Sequence, residues 1–240
     1  MPSPCILGDA DRVAFFSATG QHINCSIIGA MIAKNLLLQQ QREHPDIQLT
    51  FIYNVFTSRI YEETIQKYGG RCEISRVGHA FVKEKMRVHD AVFSCENSGH
   101  FYFRDNYYAD SGVLCFMQLV SALSSALMEN GNLTFVELFQ EFMVYHQTEE
   151  KLVYVPDKSR GLALVEQVYR AYSDSAPTKV TLFDGVSVQV FMPTPAEKGY
   201  WFTVKDSVTE DALKFVVESE DVDIADTVKL EILQLLESME

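Results

Sequence analysis

No CxxC pair, no run of about 18 apolar residues and no low-complexity tract occurs in this sequence, and each absence excludes a class of protein. The five cysteines, at 5, 25, 72, 95 and 115, are odd in number and dispersed. That pattern argues against a disulfide scaffold or a zinc site, and for reduced thiols inside a cell, with the cytoplasm as the expected compartment. Without a long apolar run, a membrane span is not expected. Met1-Pro2-Ser3-Pro4-Cys5 is neither a basic signal-type start nor an Arg-rich transit segment. Cations are also scarce: 20 Lys and Arg stand against 33 Asp and Glu, a formal charge of −13. Nucleic acid and anionic membrane are therefore set aside as general partners. A phosphate remains bindable wherever a few cations and backbone N–H groups converge.

What is present suits a globular chain. Apolar residues make up 47% of the 240, enough for one large core or two to three small ones. Strand-like runs at Ile6-Leu7, Val13–Phe16, Gln48–Val55 and Arg71–Arg76 alternate with helical spacing at Ser26–Gln41, Arg59–Lys67 and Phe81–His89. Ser26 and Ser58 are candidate N-caps, and Gly69-Gly70 ends the second helix. This alternation is the signature of α/β layers. A long helix is expected over Gly112–Glu129, with Val113, Met117, Val120, Leu123 and Leu127 as its apolar stripe and Asn130-Gly131 as its stop. Thr134 to Glu137 reads as a capping box for a helix to about Val144. Leu152–Val155 is a strand, and Pro156-Asp157 marks a linker. Beyond it come a helix near Gly161–Tyr172 and a hairpin turning at Asp184-Gly185 between Val180–Phe183 and Val186–Phe191. A Pro/Gly loop over Met192–Gly199, strands at Tyr200–Val204 and Leu213–Glu218, and a closing helix over Ile224–Ser238 complete the chain.

The chemistry concentrates in Cys95–Gly112, CENSGHFYFRDNYYADSG. Asp90–Ser94 is a short buried strand, Glu96–His100 a tight polar loop eased by Gly99, and Phe101–Arg104 a returning strand before Ser111 opens the long helix. A carboxylate, a hydroxyl and an imidazole within five residues can hydrogen-bond a polyol from several sides. The same residues equally make a plain polar hairpin turn with a capping serine.

The order of these residues resembles the sugar-recognition loop of the α-D-phosphohexomutases, the phosphomannomutase and phosphoglucomutase family. The family pattern Gly-Glu-x-Ser-Gly-His stands here as Cys95-Glu96-Asn97-Ser98-Gly99-His100, and Arg76-Val77-Gly78-His79 with Ala80–Met86 also matches the family's third domain. The resemblance implies an α/β fold with a partial domain two over 1–54, an α/β domain three over 55–156, and a smaller α+β domain four over 157–240. It covers nearly the whole chain but only the second half of the family architecture.

It also implies site residues. Glu96 and Ser98 would bind sugar hydroxyls with His100 beside them, and Arg76 and His79 would lie near the ligand or cap the helix near Ala80. The family's metal loop, Asp-Gly-Asp-x-Asp-Arg, stands here as Leu7-Gly8-Asp9-Ala10-Asp11-Arg12. Asp9 and Asp11 remain as Mg²⁺ ligands and Arg12 as a substrate contact, but Leu7 replaces one carboxylate, which lowers the expected affinity for a hard cation. Read without the resemblance, Asp9 and Asp11 form an ordinary acidic turn. The phosphate loop, Arg-Pro-Ser-Asn-Thr-Glu-Pro in the family, stands as Lys205-Asp206-Ser207-Val208-Thr209-Glu210-Asp211. Lys205, Ser207 and Thr209 would hold phosphate, yet lysine lacks the arginine fork and Asp206 and Asp211 add like charge. A solvated acidic turn is the other reading.

The phosphoserine loop, Thr-Ala-Ser-His-Asn-Pro in the family, has no counterpart, so no catalytic nucleophile is assigned; Thr19, Ser26, Ser58 and Ser124-Ser125 sit in other contexts. The resemblance thus implies a chain inactive by itself, serving as a binding or structural component with a protein partner, or a second copy, over the residue 1–54 surface. Two alternatives stay open. One is a split mutase interconverting hexose 1- and 6-phosphates with Mg²⁺; the other is a phosphosugar sensor.

Overall fold

The computed structural model describes residues 3–6, 8–17, 19–129, 131, 135–172, 178–190 and 198–239. Leu7, Asn130, Thr134, Phe191 and most of the expected Pro/Gly loop lie outside the described residues. The chain divides into two compact units, Met1–Val144 and Tyr145–Glu240.

The first unit opens with β1 (Ser3–Ile6) and β2 (Val13–Phe16), antiparallel with Ile6 opposite Val13, and β3 (His22–Ile23) beyond β2. Next come α1 (Cys25–Glu43), β4 (Thr50–Asn54), α2 (Arg59–Lys67), β5 (Arg71–Ser75) and α3 (His79–Val88). β6 (Phe93–Cys95), β7 (Phe101–Phe103), β8 (Ala109–Asp110), α4 (Gly112–Glu129) and α5 (Phe135–Gln140) complete it. The five-stranded sheet runs β5-β4-β6-β7-β8, parallel at β4–β5 and β4–β6 and antiparallel from β6 to β8.

Strand alternation sorts the core into two layers. Ile52 and Tyr102 join Val82 and Met86 of α3 and Ala91 in one cluster. The neighbouring Phe93 stacks with Phe101 and lies against Tyr61 of α2. All these side chains are buried, and each aromatic or aliphatic one contributes about 1.5–3 kcal/mol relative to exposure.

Local signals explain most boundaries. Ser58 caps α2 as expected, its hydroxyl accepting from Ile60 N. At α1 the cap is Asn24 rather than Ser26: Asn24 Oδ1 accepts from Ser26 N at 2.8 Å. Ser26 instead turns inward, donating to Asn97 Oδ1 at 2.6 Å and accepting from Ser58 N. The strand expected at Asp90–Ser94 starts later, at Phe93, because Asp90 takes a left-handed φ of 46° at the end of α3.

α4 keeps its expected bounds but presents a different face. Gly112, Cys115, Leu119 and Ala122 are buried, whereas Val113, Phe116, Met117, Val120 and Leu127 are exposed, Met117 at 60%. The helix is apolar on more than one side, and its small residues face the interior. By length and composition alone it could cross a membrane, with a mean hydropathy of 1.5. Its seated face packs against α1 and the β1–β2 hairpin.

In the second unit, β9 (His146–Gln147), β10 (Lys151–Tyr154), α6 (Lys158–Tyr172), β11 (Thr178–Leu182), β12 (Val186–Val190), β13 (Tyr200–Asp206), β14 (Ala212–Ser219) and α7 (Val222–Glu237) follow in order. The sheet runs β10-β14-β13-β12-β11, antiparallel throughout, with β9 also on β14. Val153, Val188, Phe202, Phe215, Val228 and Ile232 are among its core residues. The division falls before β10, not near Pro156, because Lys151–Tyr154 pairs with Ala212–Phe215. Similarly, an Asn54 boundary would cut through one sheet, since β4 pairs with β5 and β6. The hairpin turns through three residues, Phe183-Asp184-Gly185, with Leu182 opposite Val186.

Candidate functional site

The Glu96–His100 loop closes on itself: Glu96 N donates to His100 O at 2.9 Å and Gly99 N to Glu96 O at 3.0 Å. Gly99 has φ 91°, and a Cβ there would meet Val13 O at 3.0 Å, so this turn needs glycine. Asn97 anchors the loop to its neighbours, accepting from Ser26 Oγ and donating to Phe56 O at 2.6 Å.

Glu96 is a buried residue of this loop. Its side chain is 6% exposed. One oxygen accepts from Asn54 Nδ2 at 2.9 Å and Gly78 N at 3.3 Å, and the other from Tyr102 Oη at 2.5 Å. Burial first, and then the Glu96 charge, push the Tyr102 hydroxyl far above its ordinary pKa, so it stays a donor. Glu96 therefore braces the loop, Ser98 is exposed and His100 is half-buried. Ser98 Oγ and His100 Nδ1 are 2.9 Å apart. Gly78, held by Glu96, is the N-cap position of α3 and makes no side-chain cap. Arg76 and His79 flank it, both exposed, with the Arg76 guanidinium 4.4 Å from the Phe81 ring centre. Neither caps α3.

The 8–12 turn meets this loop directly. Arg12 and His100 form a β-bridge, Val13 N donates to Gly99 O at 3.1 Å, and Gly112 N donates to Ala10 O at 2.9 Å. Gly112 permits the approach, since a Cβ there would lie 2.6 Å from Arg12 O. This register places Asp11 Oδ2 3.5 Å from His100 Nε2, and Asp110 Oδ2 3.8 Å from the same nitrogen. Asp110 Oδ1 pairs with Lys83 Nζ at 2.7 Å. Asp9 is exposed, and its hydrogen bond with the Asp11 side chain holds its carboxyl below the usual range.

Asp11 Oδ1 is buried without a hydrogen bond, and the nearest Arg12 nitrogen, Nε, is 3.6 Å away. Arg12 Nε also lacks a hydrogen bond, so the two atoms face each other as an ion pair slightly too long to be a hydrogen bond. Asp9 and Asp11 are the residues that would hold the Mg²⁺ that the metal-loop resemblance implies, and the donor atoms gathered within 4.8 Å of one another here are those of Asp11, His100 and Asp110; Leu7 lies outside the described residues.

Lys205, Ser207 and Thr209 belong to the second unit. Lys205 is a strand residue of β13, 3% exposed, with Nζ 3.2 Å from both carboxylate oxygens of the buried Asp184. Its charge is thereby balanced and turned away from solvent. Ser207 is buried too, its Oγ accepting from Glu210 N at 3.1 Å; Thr209 is exposed. The cation beside this loop is Lys158, 3.5 Å from the carbonyls of Ser207 and Glu210 and 3.6 Å from Asp211.

Sequence reading missed Asn54, Tyr102, Asp110, Lys83 and Lys158. A tyrosine six residues after Glu96 on the returning strand, and an aspartate just before the long helix, were the available signals. Lys83 and Lys158 lie on helices whose orientation only the fold reveals.

Residues 24–144, about half of the chain, match the family described as phosphoglucomutase/phosphomannomutase, alpha/beta/alpha domain III. A phosphomannomutase of Methanocaldococcus jannaschii is 31% identical over 89% of this chain and 42% of its own length. A phosphoglucosamine/phosphogalactosamine mutase of Sulfurisphaera tokodaii is 26% identical over 96% of this chain and 47% of its own. Among solved structures, a phosphoglucomutase/phosphomannomutase family protein of Burkholderia thailandensis superposes with a TM-score of 0.71 at 20% identity, covering 99% of this chain and 46% of that one. The N-acetylphosphoglucosamine mutase of Aspergillus fumigatus, solved with GlcNAc-6P and magnesium, gives 0.69 at 14% identity over 100% and 49%. This chain thus spans less than half the length of these relatives. Fold, domain match and the braced Glu96–His100 loop together make it a member of the α-D-phosphohexomutase family, the phosphoglucomutases and phosphomannomutases.

Proposed function

We propose that this chain binds a hexose phosphate at Ser98 and His100 and carries out no phosphoryl transfer by itself, acting as the binding component of an assembly in a reducing compartment. The observation that carries the reading is the exposed Ser98 hydroxyl beside the half-buried His100 ring, on a loop pinned by Glu96, Asn97 and Gly99. Rigid hydroxyl and imidazole groups recognise a sugar at low ordering cost.

Transfer requires a positioned phosphoryl carrier and cations around the moving charge. The sequence holds no Thr-Ala-Ser-His-Asn-Pro segment, and Asp184 already neutralises Lys205. Calorimetry with millimolar mannose 6-phosphate and glucose 1-phosphate tests binding. Heat is expected from the intact chain and at least tenfold weaker binding from Ser98→Ala. No heat from the intact chain rejects the reading.

For the partner, the proposed surface is that of residues 1–54, where β1 has no strand on its outer edge among the described residues and Ile6 is exposed. Size exclusion with light scattering is expected to give a mass above 27.2 kDa; a clean monomer counts against it. One observation favours a second reading, the split mutase with Mg²⁺: relatives of more than twice the matched length act as mutases. Mixing with a polypeptide that carries the phosphoserine loop, then assaying mannose 1-phosphate conversion, separates the two.

A further inference from the structure

We propose that Ser26, at the start of α1, is a positioning residue for the sugar loop: acting through Asn97, its hydroxyl fixes where the neighbouring Ser98 is presented to a hexose phosphate. The inference rests on the binding reading of Ser98 and His100, and it names a residue outside the loop on which that binding depends.

Ser26 is fully buried and leaves the capping of α1 to Asn24. Its hydroxyl accepts from Ser58 N at 3.0 Å and donates to Asn97 Oδ1 at 2.6 Å. On the other side of the same amide, Asn97 Nδ2 donates to Phe56 O at 2.6 Å. These directions leave no slack. A carbonyl only accepts, so the amide nitrogen must face Phe56 and Oδ1 must face Ser26. The hydroxyl has one proton, and with Ser58 N–H aimed at its oxygen that proton goes to Asn97. Three segments far apart in sequence thus meet at one side chain: the first turn of α1, the turn after β4, and the sugar loop.

The residue before Asn97 is held from the same turn. Asn54 Nδ2 donates to Glu96 Oε1 at 2.9 Å, and Asn54 Oδ1 accepts from Phe56 N at 2.9 Å. Two consecutive loop residues are pinned inward, and Ser98, the next one along, is exposed. α1 also seats the strand ahead of the loop by a second contact: Cys95 Sγ fills the space that a Cβ on Gly29 would take. Without the Ser26 hydroxyl the Asn97 amide is free to turn, and the backbone of Ser98 turns with it. A donor or acceptor displaced by about 1 Å forfeits most of a hydrogen bond.

The test joins calorimetry with millimolar mannose 6-phosphate to native-state amide exchange, both on the full chain. Ser26→Ala and Asn97→Ala are each expected to bind about fivefold more weakly or worse, and Ser26→Thr, which restores the hydroxyl, within about twofold of the intact chain. A merely structural role would lower stability without weakening binding by a chain still almost wholly folded, because apparent affinity falls only with the competent fraction. Exchange supplies the second readout. In Ser26→Ala the amides of Gly99 and Val13, whose bonds to Glu96 O and Gly99 O hold the loop, should speed up by a larger factor than that of Ile52 in the inner strand β4. Unchanged affinity in both alanine variants, with the intact chain binding, would overturn the positioning role and leave the hexose-phosphate reading standing. Exchange rising equally at Gly99 and Ile52 would overturn it too. No heat from the intact chain would remove both the reading and this inference.

Discussion

A carboxylate taken out of water must find donors, and Glu96 finds three: Asn54 Nδ2, Gly78 N and Tyr102 Oη. Removing it leaves buried donors unpaired, at about 1–3 kcal/mol each. Glu96→Ala is therefore expected to lower stability by about 3 kcal/mol or more, read as a shifted urea midpoint; an unchanged midpoint would mean the carboxylate is not a brace. Ser98→Ala, on an exposed side chain, should leave that midpoint in place. In sequence, Glu96 looked like a ligand group because the motif conveys residue type but not burial. The Lys205–Asp184 pair was hidden in the same way, since the two lie 21 residues apart and meet only once β12 and β13 pair. The cysteines were more legible: all five are free thiols, as their dispersal suggested. Burial pushes the Cys25 and Cys72 thiols up to about 12 and those of Cys95 and Cys115 well above normal. A raised thiol pKa means a protonated, unreactive sulfur at pH 8. A thiol-reactive dye at that pH is expected to label the exposed Cys5 fast, the half-buried Cys72 slowly, and Cys25, Cys95 and Cys115 only after unfolding. Rapid labelling of two or more in the native chain would contradict the buried placement.

At the scale of elements, helices with sharp end signals were readable, as Ser58 and Gly69 show for α2. α4 was readable in length but not in orientation. Val113, Met117, Val120 and Leu127 keep a helical period, yet the structure exposes them and buries Cys115, Leu119 and Ala122. Period alone cannot choose between two apolar faces; packing against α1 does. Two substitutions separate the faces in chemical denaturation. Leu119→Ala should cost about 2–4 kcal/mol, and Met117→Lys should stay within about 0.5 kcal/mol. Reversed magnitudes would turn the helix over. The contact between the 8–12 turn and the sugar loop was also hidden, because it depends on two glycines, 99 and 112, that let backbones approach. Gly112→Ala, whose Cβ would lie 2.6 Å from Arg12 O, should cost at least about 1–3 kcal/mol in the same measurement. A neutral outcome would mean that the turn moves aside freely.

For the whole molecule, the α/β character and the family were legible because strand and helix alternate and the Glu96–His100 motif is long, whereas the sequence suggested three domains and the chain divides into two compact units. The dividing point was not legible. Pro156 suggested a linker, but β10 pairs across to β14 and draws residues 151–154 into the second unit. The net charge of −13 makes cations and cation-accompanied phosphates better ligands than polyanions. The Glu96–His100 loop is braced from several sides, the sequence holds no Thr-Ala-Ser-His-Asn-Pro segment and Asp184 pairs with Lys205, which is what supports the proposed binding role without transfer. The most direct measurement is ³¹P NMR of mannose 1-phosphate with the purified chain and Mg²⁺. The expected result is a shifted or broadened 1-phosphate resonance, showing binding, with no 6-phosphate signal growing in. Steady appearance of mannose 6-phosphate in that tube would contradict the account.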